Sequence, residues 1–152
     1  MSRARELFDR LRQGGTTALD ALIADREPES LFLDFKRSED EGRGTTLAKS
    51  DNKNLSKSIS GFANSSGGVV VWGVDCRRDA SGNEAARPHC VVDAKGFETK
   101  LQSAVSRTTM PAFSGVEFHA FVQADGNPAG FVAMYVPKSF MGPIRGLVGE
   151  QY

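Results

Sequence analysis

The sequence predicts an α/β (α+β) fold, a mixed sheet of about four to five strands with helices packed on it and two further helices at the N-terminus. Three observations predict it. Leu31 to Lys36 alternates, sending Leu31, Leu33 and Phe35 to one face and Phe32, Asp34 and Lys36 to the other, the period of a strand. Val69 to Val74 is apolar at both parities, as expected of a central strand covered on both sides. Around these runs lie stretches with apolar residues at helical spacing, so helices and strands alternate along the chain.

In order, residues 3 to 13 place Leu7 and Leu11 four apart, with Ala4 and Phe8 beside them, and Gly14-Gly15 ends this first helix. Thr16 or Thr17 can cap a second, whose apolar stripe is Leu19, Leu22 and Ile23. Arg26 to Ser30 contains Pro28 and turns the chain into the first strand, delivering Glu29 to its start. Ser38 to Ser50 is polar with glycines and reads as a mobile loop of the kind that carries binding residues. The next helix runs from about Asp51 to Ala63, capped by Ser50 or Asp51, with Leu55, Ile59 and Phe62 toward the core and Lys53 and Lys57 sharing another side. Asn64 to Gly68 stops it and leads into the central strand.

Cys76 to His89 is rich in charge, Gly and Ala, and reads as a loop or hairpin tip without a core of its own. A helix from about Ala94 to Thr109 carries Phe97, Leu101, Ala104 and Val105 on one face, and Pro111 stops anything further. Val116 to Val122 and Gly130 to Val136 form a hairpin around Asp125-Gly126-Asn127-Pro128, with Val132, Met134 and Val136 on one face. The organisation is an N-terminal helical extension, 1–26, and a main domain, 27–152. Gly146 to Tyr152 resembles the approach to another strand, so the chain is expected to be part of a longer one.

Composition narrows the function classes. Nineteen basic and nineteen acidic residues cancel, so attraction to nucleic acid has to be local. Between Lys36 and Lys57 six basic residues (Lys36, Arg37, Arg43, Lys49, Lys53, Lys57) face four acidic ones. No apolar run approaches the roughly 18 residues of a membrane helix, and the N-terminus lacks the apolar core of a secretory signal, so a cytoplasmic location is expected. Cys76 and Cys90 imply no disulfide and, with His89, too few soft ligands for a zinc site. His119 lies alone in a strand. No serine, cysteine or histidine constellation supports acyl transfer. Asn64 to Gly68 follows a helix C-terminus, where the dipole is negative, so it is a C-cap rather than a phosphate loop, and ATP binding does not follow from it. Trp72 and Phe62 read as core.

The residues with chemistry in them are Glu29, Asp34 and Asp75, hard oxygen ligands of the type that holds Mg²⁺ or Mn²⁺, and Lys36, placed to orient or polarise an attacking water. Arg37, Arg43, Lys49, Lys53, Lys57, Arg77 and Arg78 are the candidate phosphate-binding residues.

Glu29-Ser30, Asp34-Phe35-Lys36, Ile59 through Phe62-Ala63-Asn64, Gly67-Gly68 and Gly73-Val74-Asp75 together resemble the Schlafen-type AlbA domain of many bacterial proteins. Val136-Pro137-Lys138-Ser139 followed by Pro143 is similar to that family's closing strand and turn, and the likeness covers roughly residues 27 to 145. The resemblance implies a compact α/β unit that handles nucleic acid and, in the Schlafen branch, a metal-dependent endoribonuclease acting on structured RNA such as tRNA. There the site is two glutamates five apart and a later aspartate. Glu29 and Asp34 keep that spacing, with Asp in place of the second Glu, and Asp75 is the candidate third acid, with Asp79 as the fallback. Schlafen nucleases pair two such lobes in one chain, so a homodimer would be needed to build a comparable groove. A toxin, an antiphage defence effector and a regulator would share these features. The alternatives are a non-catalytic DNA- or RNA-binding module of a bacterial regulator, and an ATP-binding regulator.

Overall fold

The computed structural model describes residues 2–25, 31–78, 80–82, 84–140 and 142–147. A four-stranded mixed sheet runs β1 (Leu33–Lys36), β2 (Gly68–Trp72), β7 (Gly130–Val136), β6 (Glu117–Val122), with β1 parallel to β2 and the other pairs antiparallel. Helices α2 (Lys49–Ala63) and α3 (Ala94–Val105) lie on one face, and α1 (Arg3–Ala24) on the other. The predicted architecture is therefore the observed one. Strand β3 (Val74–Arg78) pairs only with β4 (Glu84–Pro88), and β5 (Thr109–Met110) with β8 (Arg145–Gly146).

The alternation in β1 determines what each face receives. Leu33 and Phe35 join Val69, Val71, Phe131 and Ala133 in a core sealed by Phe8, Leu11, Leu19 and Leu22 of α1. Val70, Trp72, Val132, Met134 and Val136 point the other way, onto Leu55 and Ile59 of α2 and Phe97 and Leu101 of α3, with Trp72 and Phe97 edge to face at 5.6 Å. Strand β2 is buried at all five positions because it has a helical layer on each side.

The two expected N-terminal helices are the two arms of α1, which bends at Gly15 (φ 53°, ψ −133°). The kink falls within the expected Gly14-Gly15 break, and Thr16 is not a cap: its hydroxyl donates to Val122 O at 2.9 Å, tying the bend to the end of β6. Arg5 stacks on Phe8 and Tyr135 and pairs with Glu117, which fixes the first arm to the far side of the sheet.

Other details depart from expectation. The central apolar run stops being one strand at Gly73, whose φ of +104° and close approach to Gly130 O and the Phe131 ring, each 3.0 Å from any added Cβ, admit only glycine. Beyond it the charged stretch, expected as a loop or hairpin tip, is the β3–β4 hairpin, paired from Val74 with Pro88 to Arg78 with Glu84. Helix α3 ends at Val105, short of the expected Thr109, because Thr108 turns back to donate to Val105 O at 2.8 Å and Thr109-Met110 pairs with Arg145-Gly146. The Asn64 to Gly68 turn is the expected C-cap: Gly67 (φ +81°) donates to Phe62 O at 2.9 Å, and Asn64 exchanges two hydrogen bonds with the Ile144 backbone at 2.6 and 2.8 Å.

Residues 38 to 48, expected to be mobile, are tied down. Buried Asp51 accepts from Ser38 Oγ at 2.6 Å and Glu39 N at 2.9 Å, and Asp40 accepts from the backbones of Gly42 and Gly44. Lys100 reaches across from α3 to Gly42 O at 2.7 Å and to Gly44 O, and His89 meets Glu41 at 3.0 Å. Helix α2 consequently begins two residues early, with Ala48 at the cap position and no side-chain cap of its own. Its first turn is satisfied by Glu39, which accepts from Ser50 N at 2.9 Å, while Asp51 is occupied with the loop.

Candidate functional site

A groove of about 410 Å³ lies between β1 and α2. Its β1 wall carries Asp34 and Lys36, the polar members of the alternating strand, and its α2 wall carries Asn54, Lys57 and Ser58; Leu31 and Phe62 add apolar surface. Leu31 is 83% exposed, so its side chain is available to an occupant. Lys36 Nζ stands 3.1 Å from Asp34 Oδ2, while Asp34 Oδ1 is buried with no hydrogen-bond partner among the described residues. A buried carboxylate oxygen without a partner is costly and is suited to a cation or a donor from outside the chain. Lys49, Lys53 and Lys57 are exposed and recur every fourth residue of α2, about 6 Å apart along the axis, so they form a slowly drifting cationic stripe that enters the groove at Lys57.

Asp75 is elsewhere. Asp34 pairs in register with Val70, and Asp75 comes five residues later, past the turn at Gly73 and on the ribbon. Its Oδ2 is 2.7 Å from Arg77 Nε and 3.8 Å from Arg37 Nη1, so two guanidinium groups neutralise it. Asp34 and Lys36 are brought together; Asp75 joins Arg37 and Arg77 and does not line the groove. Arg43 pairs with Glu41 at 3.2 Å in the 38 to 48 segment, away from the groove walls. Glu29, Asp79 and the Arg78 side chain lie outside the described residues. Among the described residues no three His, Cys, Asp or Glu side chains stand together as a metal-binding group.

Sequence reasoning missed the polar frame behind the groove. Burial holds the Asp51 carboxyl above the usual carboxylate range, although Ser38 and the Glu39 N–H act against it. Burial also works on Asp40, but the N–H groups of Gly44 and Gly42 and the Ser38 hydroxyl outweigh it and hold that carboxyl low. The Ser50 N–H lowers Glu39, and the Arg43 guanidinium lowers Glu41. The spacing Ser38, Asp40 and Asp51, at the end of a strand and the start of a helix, was the available signal.

A mixed sheet clasped between one bent helix and two others, with a Phe-Ala-Asn…Gly-Gly helix end and an acid-Phe-Lys strand beside it, defines a class of compact α/β domains. The chain matches the family described as "Schlafen, AlbA_2" over residues 29–146 and belongs to it. Membership connects the chain with a nucleic-acid-related function. Among solved structures, it is similar to the solution NMR structure of the N-terminal domain of a protein from Nitrosomonas europaea related to the ATP-dependent DNA helicase RecG. Identity is 23%, the TM-score is 0.54, and the match covers 100% of this chain and 88% of the other, α1 included. That likeness bears on the fold. Comparison with curated proteins returns no match. Among the described residues no helix is long and apolar enough to cross a membrane.

Proposed function

We propose that the domain binds the phosphodiester backbone of nucleic acid in the groove between β1 and α2, in the cytoplasm. The observation that carries this reading is the lysine arrangement: Lys36 and Lys57 line the groove from its two walls, and Lys53 and Lys49 extend the charge along α2. Each phosphate neutralised by a lysine releases condensed counterions, so a chain with no net charge can still bind where its cations are clustered. Phe62 and the exposed Leu31 offer apolar contact for unstacked bases, which favours single-stranded or looped RNA, such as the loops of a tRNA, over duplex DNA.

The test is fluorescence anisotropy in EDTA with labelled single-stranded RNA, tRNA and duplex DNA over a salt series. Lys53→Ala/Lys57→Ala should weaken binding to all and reduce the magnitude of the log–log salt slope by about two. A wild-type chain that binds none of these at low salt removes the proposal.

A second reading, hydrolysis of the bound strand, rests on one specific observation, the unpartnered Oδ1 of Asp34 beside Lys36. Asp34, with Glu29 preceding its strand, would hold Mg²⁺ or Mn²⁺, and the ion would supply a water made acidic enough to attack phosphorus. Lys36, whose ammonium group stands 3.1 Å from Asp34, would orient a water held there, and Asn54 and Lys57 on the α2 wall would position the phosphate. Cleavage of labelled tRNA in Mn²⁺ that disappears in EDTA and in Asp34→Asn supports it; intact substrate in both metals, with binding preserved, rejects it.

A further inference from the structure

We infer that the arginine cluster at the base of the β3–β4 ribbon is a second anchor for the same backbone, in which Asp75 acts as a positioning residue. The inference rests on the reading that the domain binds nucleic acid. Past Gly73 the chain leaves the central sheet, and the ribbon pairs only with itself. At its base a single carboxylate oxygen, Asp75 Oδ2, holds Arg77 through Nε at 2.7 Å and Arg37 through Nη1 at 3.8 Å. Arg87 stands directly opposite Asp75 in the ribbon register, so its side chain leaves from the same face.

One carboxylate among three guanidinium groups leaves a positive excess, and exposure decides which charge an incoming ligand meets. The Asp75 side chain is 15% exposed, against 61% for Arg77 and 42% for Arg37. The acid is covered and the cations face solvent. Because Arg77 is held through Nε, its terminal nitrogens extend beyond the carboxylate, where the planar fork can take a phosphate in two parallel hydrogen bonds. Asp75 restricts the long arginine side chains to one place before any ligand arrives, which lowers the entropy lost on binding.

The cluster continues the groove. Lys36 and Arg37 are consecutive, Lys36 lining the groove and Arg37 reaching Asp75 on the ribbon. A strand lying in the groove and passing the end of β1 would meet Arg37 next to Lys36, and through Arg37 the cluster on Asp75. A phosphate clamp rather than a metal is the role this geometry gives Asp75.

The test is anisotropy in EDTA with labelled single-stranded RNA of about 16 nucleotides, within the range that one compact fold spans. Arg37→Ala/Arg77→Ala should weaken binding about tenfold at 0.1 M salt and reduce the magnitude of the salt slope by about two, with the thermal melt unchanged. Asp75→Ala removes the acceptor that holds Arg77 and Arg37, so in EDTA it should bind more weakly than the wild type even though it removes a negative charge, and Asp75→Asn, which keeps an acceptor oxygen, should bind more tightly than Asp75→Ala. If the arginine double variant binds like the wild type while Lys53→Ala/Lys57→Ala binds more weakly, the anchor is wrong and the groove reading stands. If both double variants bind like the wild type, both fall. A folded Asp75→Ala that binds as tightly as the wild type, or more tightly, in EDTA overturns the positioning role alone.

Discussion

Both faces of the central sheet are closed with carbon, and they differ at the β1 edge. Against α1 Phe8, Leu11, Leu19 and Leu22 cover Leu33, Phe35, Val69 and Val71, with polar ties from Arg5 to Glu117 and from Thr16 to Val122 O. Against α2 and α3 the sheet is closed likewise by Leu55, Ile59, Phe97 and Leu101 on Val70, Trp72 and Met134, but at its edge β1 presents Asp34 and Lys36 to an open groove, and a buried polar network around Asp51 ties the segment that follows β1 to α2. The core of either face can lose a side chain only at the expense of the fold, whereas the groove edge can lose an exposed lysine and alter binding instead.

The largest effect should therefore come from the core. Phe8→Ala removes a fully buried ring and is expected to cost about 3–5 kcal/mol in chemical denaturation. A loss below about 1 kcal/mol would mean that α1 is an appendage and not one of the two walls.

Next in size is Asp51→Ala, which strands the Ser38 hydroxyl and the Glu39 N–H and should cost about 1–3 kcal/mol. Unlike Phe8→Ala, it should raise amide exchange selectively between residues 38 and 48. Uniform exchange across the chain would show that the polar frame has no local role.

Asp51 also predicts a pH dependence. A carboxyl whose folded-state pKa is raised holds its proton more tightly folded than unfolded, so its contribution is complete below about pH 4 and is lost as pH rises through the raised value. Asp40 and Glu39, both held low, contribute in the opposite direction, losing their stabilisation as the solution is acidified. Asp51→Asn imitates the protonated form, so its Tm relative to wild type should climb by a few degrees between about pH 4 and pH 8, following about 2–4 °C per kcal/mol for a chain of this size. A constant difference across that range would exclude burial of the charged form as the cause.

The smallest stability effect belongs to the groove wall. Lys57→Ala should change unfolding by less than about 0.5 kcal/mol while lowering the salt slope for nucleic acid by about one. A change in stability without one in binding would reverse the comparison between core and groove edge.

These contrasts show which parts of the structure the sequence makes legible. Strand alternation does not depend on distant residues, so the faces of β1, the burial of β2 and the Val132, Met134, Val136 stripe follow from local pattern. The 38 to 48 segment was misread because polar residues bonded to one another look, in sequence, like polar residues bonded to water. Asp75 follows an unbroken apolar run, and only the positive φ at Gly73 shows that the ladder ends and the acid leaves Asp34 behind. Pairing between Asp75 and Arg37 joins residues far apart in the chain, and periodicity carries no information about such contacts.

Gly73 has one more consequence. Val74, Cys76 and Ala86 seat the base of the β3–β4 ribbon on the α1-side core, and beyond that base the ladder is closed on itself, so the length of its outer part is independent of the core. Lengthening both strands equally at the 78–84 end should move the tip outward by about 3.4 Å per added pair and leave the melting transition in place. The fold thus separates reach from stability at a single hinge, and a chain with this architecture could change what its arm touches without rebuilding what holds it up.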